Sequence, residues 1–330
     1  MHGSLKTLLT AIIRAGCRFG HSRHKSKRDF DGSSPFLHSI GSFDRVIHRL
    51  WPLIRWMQEH GVDSFESLDY LAILQYLSDR LSYHLSKDND RHTFQVELSA
   101  LANLERCLTL FYSQHRATPT EYDFSQALKT YRSLARTIPK KDREVSRALP
   151  RPMDVIACLE IPKHILMAEI QYRCGCRAEG VGAPQREYPG SNRLSLDNFM
   201  LPASGGEILP VLPDPITRLP VYRFWTIEKG GKLAWKHCPL PLGQKFFQYC
   251  SDNPEGLTER YPVYLTALNK AMKETDQYEK GRGTHSLRFA FAQNRYLACV
   301  NSGMGDEAAK LFVSREMSHN RPDVTGEYLG

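Results

Sequence analysis

The sequence predicts a mainly helical protein with a small β-sheet, made of an N-terminal all-α bundle and a C-terminal α+β domain. Three observations lead there. Between about residues 40 and 137, apolar side chains recur at helical spacing. The β-prone runs VYRFWTI (221–227) and KLAWKHC (232–238) flank Lys229-Gly230-Gly231 and read as a hairpin around a Gly-Gly turn. From 243 to 330 the pattern is helical again.

The elements follow in chain order. In residues 1–30, Leu5, Leu8, Leu9, Ile12 and Ile13 form the apolar stripe of an amphipathic helix in a strongly basic segment. A helical core region spans 31–137. Trp51, Leu53 and Ile54 lie on a segment that Pro52 is expected to interrupt. Asp63-x-x-Glu66 has the spacing of a capping box, and Leu74, Leu77, Leu81 and Leu85 mark the helix after it. Leu101, Leu104, Leu108 and Phe111 mark a second helix; Phe124, Leu128, Tyr131 and Leu134 mark a third. Residues 138–152 (IPKKDREVSRALPRP), proline-rich and basic, read as a linker. The second domain, 153–330, opens on a helix through Ile165, Leu166 and Ile170, and has a proline-rich loop region over 184–220.

Of 330 residues, 41% are hydrophobic and 24% charged, which excludes a collagenous, fully disordered or disulfide-scaffold chain. No apolar run reaches the roughly 20 residues of a membrane helix. The net charge is +8, of which residues 1–30 hold +6, so a polyanionic partner is expected. The leader suits a nucleic-acid arm in a bacterial, nucleoid-associated cytoplasmic protein, or a mitochondrial transit peptide over 1–28. The eight scattered cysteines lack zinc spacing and read as reduced, mostly buried thiols. There is no GxxxxGK[ST], HExxH or EF-hand loop. Gly303-x-Gly305-x-x-Ala308 follows no strand, and His21 and His24 read as surface side chains.

The chemistry-bearing residues lie in the C-terminal half. Thr284 is placed to cap a long helix, and His285 and Arg288, at i and i+3, share one face of it. A histidine and an arginine at a helix start suit an anionic oxygen ligand. Arg177 follows a helical run in RCGCRAEGV (173–181), Lys229 sits at the hairpin turn, and His319 precedes Tyr328 by nine residues. In this order the series resembles the tyrosine recombinase (phage integrase) family. That pattern is an arginine in a T-G-x-R-like segment, a hairpin lysine, H-x-x-R, a second histidine, and a tyrosine nine residues later. The resemblance covers roughly 150–330, and the helical region matches the family's core-binding domain in position and character.

The resemblance implies a site-specific DNA recombinase or integrase of mobile-element type. Tyr328 would be the nucleophile, Arg177 and Arg288 the phosphate clamp and Lys229 the general acid, with Lys232 the alternative lysine. His285 would be general base or hydrogen-bond partner, and His319 a phosphate ligand. No cofactor is implied. The implied partners are double-stranded DNA, three further protomers in a homotetramer on two sites, and an accessory DNA-bending or directionality protein. Arg23, Lys25, Lys27 and Arg28 of the leader, and Lys140, Lys141, Arg143 and Arg147 of the linker, are candidate DNA contacts. The alternatives are a cleavage-deficient accessory factor with the same fold, or a general nucleic-acid-binding protein.

The chain departs from the pattern in three places. Gly180 stands where the family has an acidic residue three positions after the first arginine, with Glu179 one place early. Ser318 replaces the customary glycine before the histidine. The sequence ends two residues after Tyr328, where relatives often continue into a docking helix, and the expectation is that the Leu5–Ile13 stripe supplies a protomer contact instead.

Overall fold

In the computed structural model, residues 4–21, 23–30, 34–115, 122–140, 146–185, 193–200, 209–228, 232–319 and 322–329 are described; for 23, 24, 27, 232, 322–324 and 327 only the backbone is. The chain forms two compact units, Met1–Arg143 and Glu144–Gly330.

Among the described residues the first unit is built on helices: α1 (Leu5–Ala15), α2 (Arg23–Asp29), α3 (Ile40–Glu59), α4 (Tyr70–Ser86), α5 (Arg91–His115) and α6 (Ser125–Leu134). The long α5 is its centre and packs on α1, α3 and α6. Ser4 caps α1 by accepting from the Thr7 amide. Leu9, Ile12 and Ile13 are then fully buried in the core of this unit. Gly16, just past α1, lies so close to the Cys107 thiol of α5 that no β-carbon fits. The apolar stripe of α1 is therefore spent inside its own unit, which corrects the expectation that it faces a second protomer.

Three local expectations are also revised. Pro52 does not interrupt its segment: α3 runs through it. The carbonyl that loses its partner belongs to exposed His48, where water can serve it, while Val46, Leu50, Leu53, Ile54 and Met57 anchor the opposite face. Asp63 and Glu66 form no capping box. Ser64 caps a 3₁₀ turn over Phe65–Ser67 and Asp69 caps α4, because the chain makes that extra turn before the helix starts. The buried face of α4 is Ile73, Tyr76, Leu77 and His84, while Leu85 is exposed. On the same face Glu97 of α5 accepts from Arg80 Nη2 (2.7 Å) and lies 3.1 Å from His84 Nε2.

The second unit contains α7 (Pro152–Ala157), α8 (Pro162–Cys174), β1 (Leu212–Pro213), β2 (Pro220–Glu228), β3 (Lys232–Pro239), α9 (Leu240–Asp252), α10 (Tyr261–Glu274), α11 (His285–Asn301), α12 (Asp306–Glu316) and α13 (Pro322–Leu329). The antiparallel sheet has the order β1-β2-β3, with Trp225 opposite Trp235, Phe224 opposite Lys236 and Glu228 opposite Lys232. Period-two alternation puts Phe224, Thr226 and Glu228 of β2, and Ala234, Lys236 and Cys238 of β3, on one buried face. Phe224 stacks on Phe199 (4.9 Å between centroids), and Phe199 on Phe246 of α9, which fixes the sheet on the helical layer. All eight cysteines are free thiols, and all but Cys158 are buried.

Candidate active site

Five segments build the site. Helix α8 ends at Gly175 in the left-handed conformation (φ 66°), the usual glycine C-cap. The turn releases Arg177 just before the 3₁₀ segment Ala178–Val181. Strand β2 contributes Glu228 and β3 contributes Lys236, both inward-facing. Arg288 projects from the first turn of α11, and His319 follows the end of α12. There Ser318 takes φ 60°, so the position customarily held by glycine keeps its left-handed geometry with a side chain in place. The His319 amide closes the turn onto the Ser314 carbonyl at 2.7 Å.

These side chains converge on one carboxylate. Glu228 pairs with Arg177, with Arg288 (3.1 Å) and with Lys236 (3.3 Å). Its carboxyl is buried, yet the three cations hold it at about 2, well below the ordinary glutamate value. Arg288, fully buried, also donates to the carbonyls of Gly175 and Met317. Lys236 donates to the Glu316 carbonyl (2.6 Å), the Ser318 hydroxyl (3.3 Å) and the Gly175 carbonyl (3.5 Å). Burial lowers its pKa and Glu228 opposes that.

His319 Nε2 lies 3.3 Å from Arg177 Nη2 and 3.4 Å from Arg288 Nη2. Guanidinium nitrogens only donate, so Nε2 is the acceptor and the ring proton sits on Nδ1. Burial, then Arg288 and Arg177, push the imidazole down to about 4, so it is neutral at pH 7. Tyr328, on α13, is buried with its ring 4.3 Å from Phe289 and 6.0 Å from His319. Gln293 of α11 holds the Tyr328 carbonyl at 3.3 Å.

The structure thus brings Arg177, Arg288, His319 and Tyr328 together. His285 stands exposed at the start of α11, in the wall of a cavity of about 300 Å³ shared with Arg147, Arg282 and Phe289. Thr284 occupies the cap position but makes no cap bond, since its own backbone is already helical (φ −55°). Ser286 instead accepts from the Gly283 amide at 3.1 Å. Lys229 lies outside the described residues, as does the Lys232 side chain. Of the candidate DNA contacts, Lys25, Arg28 and Lys140 are exposed. Arg147 lies 5.5 Å over the Phe289 ring that packs on Tyr328. Lys141, Arg143 and the side chains of Arg23 and Lys27 are outside the described residues.

Sequence reasoning missed Glu228 and Lys236. The available signal was strand alternation, which aligns both with Phe224, Thr226 and Ala234 on the inward face. A charge at such a position is rarely buried unless paired. The acidic partner absent at position 180 is absent for a steric reason. A β-carbon on Gly180 would meet Thr226 Oγ1 at 2.7 Å, and that hydroxyl donates to the Gly180 carbonyl at 3.1 Å.

Among the described residues, Asp214, His237 and Glu316 have the donor types and closeness of a metal site. Arg295 already bridges both carboxylates, 2.9 Å from Asp214 and 2.6 Å from Glu316, so the guanidinium already pairs with the oxygens a metal would use. No described helix is long and apolar enough to cross a membrane.

No protein-family model matches the chain, and no curated protein sequence does. Among solved structures it is similar to XerH site-specific recombinase bound to palindromic difH substrate in a post-cleavage complex. The TM-score is 0.61 at 11% identity, over 100% of this chain and 94% of that one. The pre-cleavage complex of XerH with difH substrate gives a TM-score of 0.60 at 12% identity, over 99% and 93%. A helical first unit and a second unit with one small antiparallel sheet among its helices, matched over the full length, give this chain the tyrosine recombinase fold.

Proposed function

We propose that the protein is a site-specific DNA recombinase or integrase that cuts and rejoins DNA through a covalent bond to Tyr328. One observation carries the reading. Two arginines, from segments far apart in sequence, each come within 3.4 Å of one histidine beside the tyrosine that sequence spacing singles out.

Breaking a phosphodiester without a metal needs a nucleophile, positive charge on the non-bridging oxygens, and a proton for the leaving oxygen. Tyr328 Oη would attack phosphorus. The bond from phosphorus to the 5′ oxygen would break, leaving a 3′-phosphotyrosine and a free 5′ hydroxyl. The tyrosine proton would pass to His285, and Lys229 would protonate the 5′ oxygen. Arg177, the more exposed guanidinium, and Arg288 would clamp the phosphate, since their planar forks suit bidentate contact. Against Glu228 stand Arg177, Arg288 and Lys236, so the cluster keeps a positive surplus for the charge that grows in the transition state. Burial and then the fields of Arg288 and Arg177 hold His319 neutral, and an entering phosphate would offset the field part and make its protonation easier. Religation is the same sequence in reverse and needs no ATP.

The XerH structures hold DNA substrates, which supports double-stranded DNA as the partner here. A homotetramer on two sites, an accessory DNA-bending or directionality protein and a mobile-element origin belong to the same proposal. So do DNA contacts through the exposed Lys25, Arg28 and Lys140. A second reading, a cleavage-deficient accessory factor, has one observation in its favour: Arg288 is fully buried, and its donors are engaged by Gly175 and Met317. The two readings separate on a denaturing gel. Nicked duplexes from DNA flanking the gene should yield a covalent adduct with the wild type and none with Tyr328→Phe. Specific, salt-sensitive binding without any adduct supports the second reading.

A further inference from the structure

We propose that Glu228 and Lys236 are positioning residues of this site: the carboxylate sets the spacing of the Arg177 and Arg288 guanidiniums, and the ammonium fixes the turn that presents His319. The inference rests on the recombinase reading for its catalytic consequence, but its geometric part stands alone.

Both guanidiniums carry the same charge and would separate without an anion between them. Glu228 supplies that anion, one oxygen to Arg177 and the other to Arg288. Its side chain is 1% exposed, so the pairing is not screened by water. Among the described residues the neighbouring acid acts on Arg177 through its charge alone, since Glu179 Oε2 is buried with no hydrogen-bond partner there. Strand β2 closes position 180 to any side chain through Thr226, and two residues along the same face it delivers the carboxylate.

Lys236 acts mechanically. Its three donors reach the Glu316 carbonyl, the Ser318 hydroxyl and the Gly175 carbonyl. It thereby ties the loop before Arg177 to the turn before His319. Arg288 spans the same two loops through Gly175 and Met317. The adjacent His237 holds the Glu316 side chain at 3.2 Å, so β3 grips both sides of that residue. Ser318 keeps its left-handed backbone because this network over-determines the turn. A displacement of about 1 Å in a catalytic group can cost on the order of 100-fold in rate, so the effect should be large.

The test uses the full-length protein with Glu228→Gln and Lys236→Met, which keep side-chain size and change charge. The first readout is the titration of His319, followed by NMR of histidine-labelled protein. The charged or titratable groups facing that ring are Arg177, Glu228, Lys236, Arg288 and Tyr328. Removing Glu228 should move the midpoint down and removing Lys236 should move it up. A substitution that merely loosens packing would shift both toward the free-histidine value. The second readout is the rate of adduct formation on a nicked duplex, expected to fall roughly 100-fold in Glu228→Gln with DNA affinity little changed, and to recover partly in Glu228→Asp. Opposite shifts of the His319 midpoint support the proposal; two unchanged midpoints overturn it, whatever the DNA result. If the wild type forms an adduct and Glu228→Gln forms it equally fast, the positioning role is refuted and the recombinase reading survives. If the wild type forms none while the midpoints move as expected, the recombinase reading fails and the geometric role stands. Should Lys236→Met fail to fold by circular dichroism, Glu228→Gln alone decides.

Discussion

Gly175→Ala adds one methyl group and should damage both the second unit and the site. Gly175 sits at φ 66°, where a β-carbon costs about 1–2 kcal/mol. That carbon would also enter the ring of Phe291, which is itself buried, and overpacking of this kind costs about 1–3 kcal/mol. The two terms together give about 2–5 kcal/mol. At roughly 2–4 °C per kcal/mol for a unit of this size, the second unit should melt about 4–20 °C lower. The loss reaches the site as well, because the Gly175 carbonyl accepts from both Arg288 and Lys236. Differential scanning calorimetry of the full chain reads the first effect, and the His319 titration reads the second. A fall of less than 1 °C, with His319 unmoved, would refute the view that this glycine is required by both its backbone angle and its neighbour.

Other consequences are as direct. His319 should titrate near 4 in the free protein, and its midpoint should rise when DNA or orthovanadate occupies the site; an NMR midpoint near 6.5 in the free protein would contradict the buried cationic setting. Its folded-state value lies below its unfolded one, so the unfolded chain binds the extra proton. Stability should therefore drop as pH falls from about 6.5 to about 4. Leu9→Ala should destabilise the first unit by about 2–5 kcal/mol in urea titrations, as a core truncation does, whereas a free arm would tolerate it. Arg295→Met strands the carboxylates of Asp214 and Glu316 and should cost about 3–5 kcal/mol, read as a lower urea midpoint of the second unit.

What the sequence made legible follows from which interactions are local. The hairpin came from two β-prone runs and a Gly-Gly turn, and it folds as β2 and β3 in register. Helical periodicity located α4, α5 and α6, because an amphipathic stripe needs no knowledge of its partner. The facing of those stripes was less legible. Of the Leu74, Leu77, Leu81 and Leu85 stripe of α4, Leu77 is fully buried, Leu74 and Leu81 pack half-buried on the core and Leu85 is exposed, while Ile73, Tyr76 and His84 complete the buried face beside Glu97. The stripe of α1 was visible, but what covers it was decided by α3 and α5. Pro52 misled because a helix tolerates a proline whose orphaned carbonyl faces water. In the candidate site, order and spacing pointed to Arg177, Arg288, His319 and Tyr328, which lie together in the structure. Glu228 and Lys236 escaped because a buried ion cluster becomes meaningful only when β2, β3, α11 and the turn after α12 have met.

The central claim is that Tyr328 carries the covalent chemistry, and mass spectrometry of the trapped adduct tests it most directly. Wild-type protein would be incubated with nicked duplexes from the gene's flanking DNA, the covalent species isolated under denaturing conditions, digested with nuclease and protease, and the modified peptide sequenced. A nucleotide joined through its 3′ phosphate to Tyr328 is expected, and no such peptide from Tyr328→Phe or Arg177→Ala. An adduct mapped to any other residue, or one that forms equally well in Tyr328→Phe, would contradict the claim.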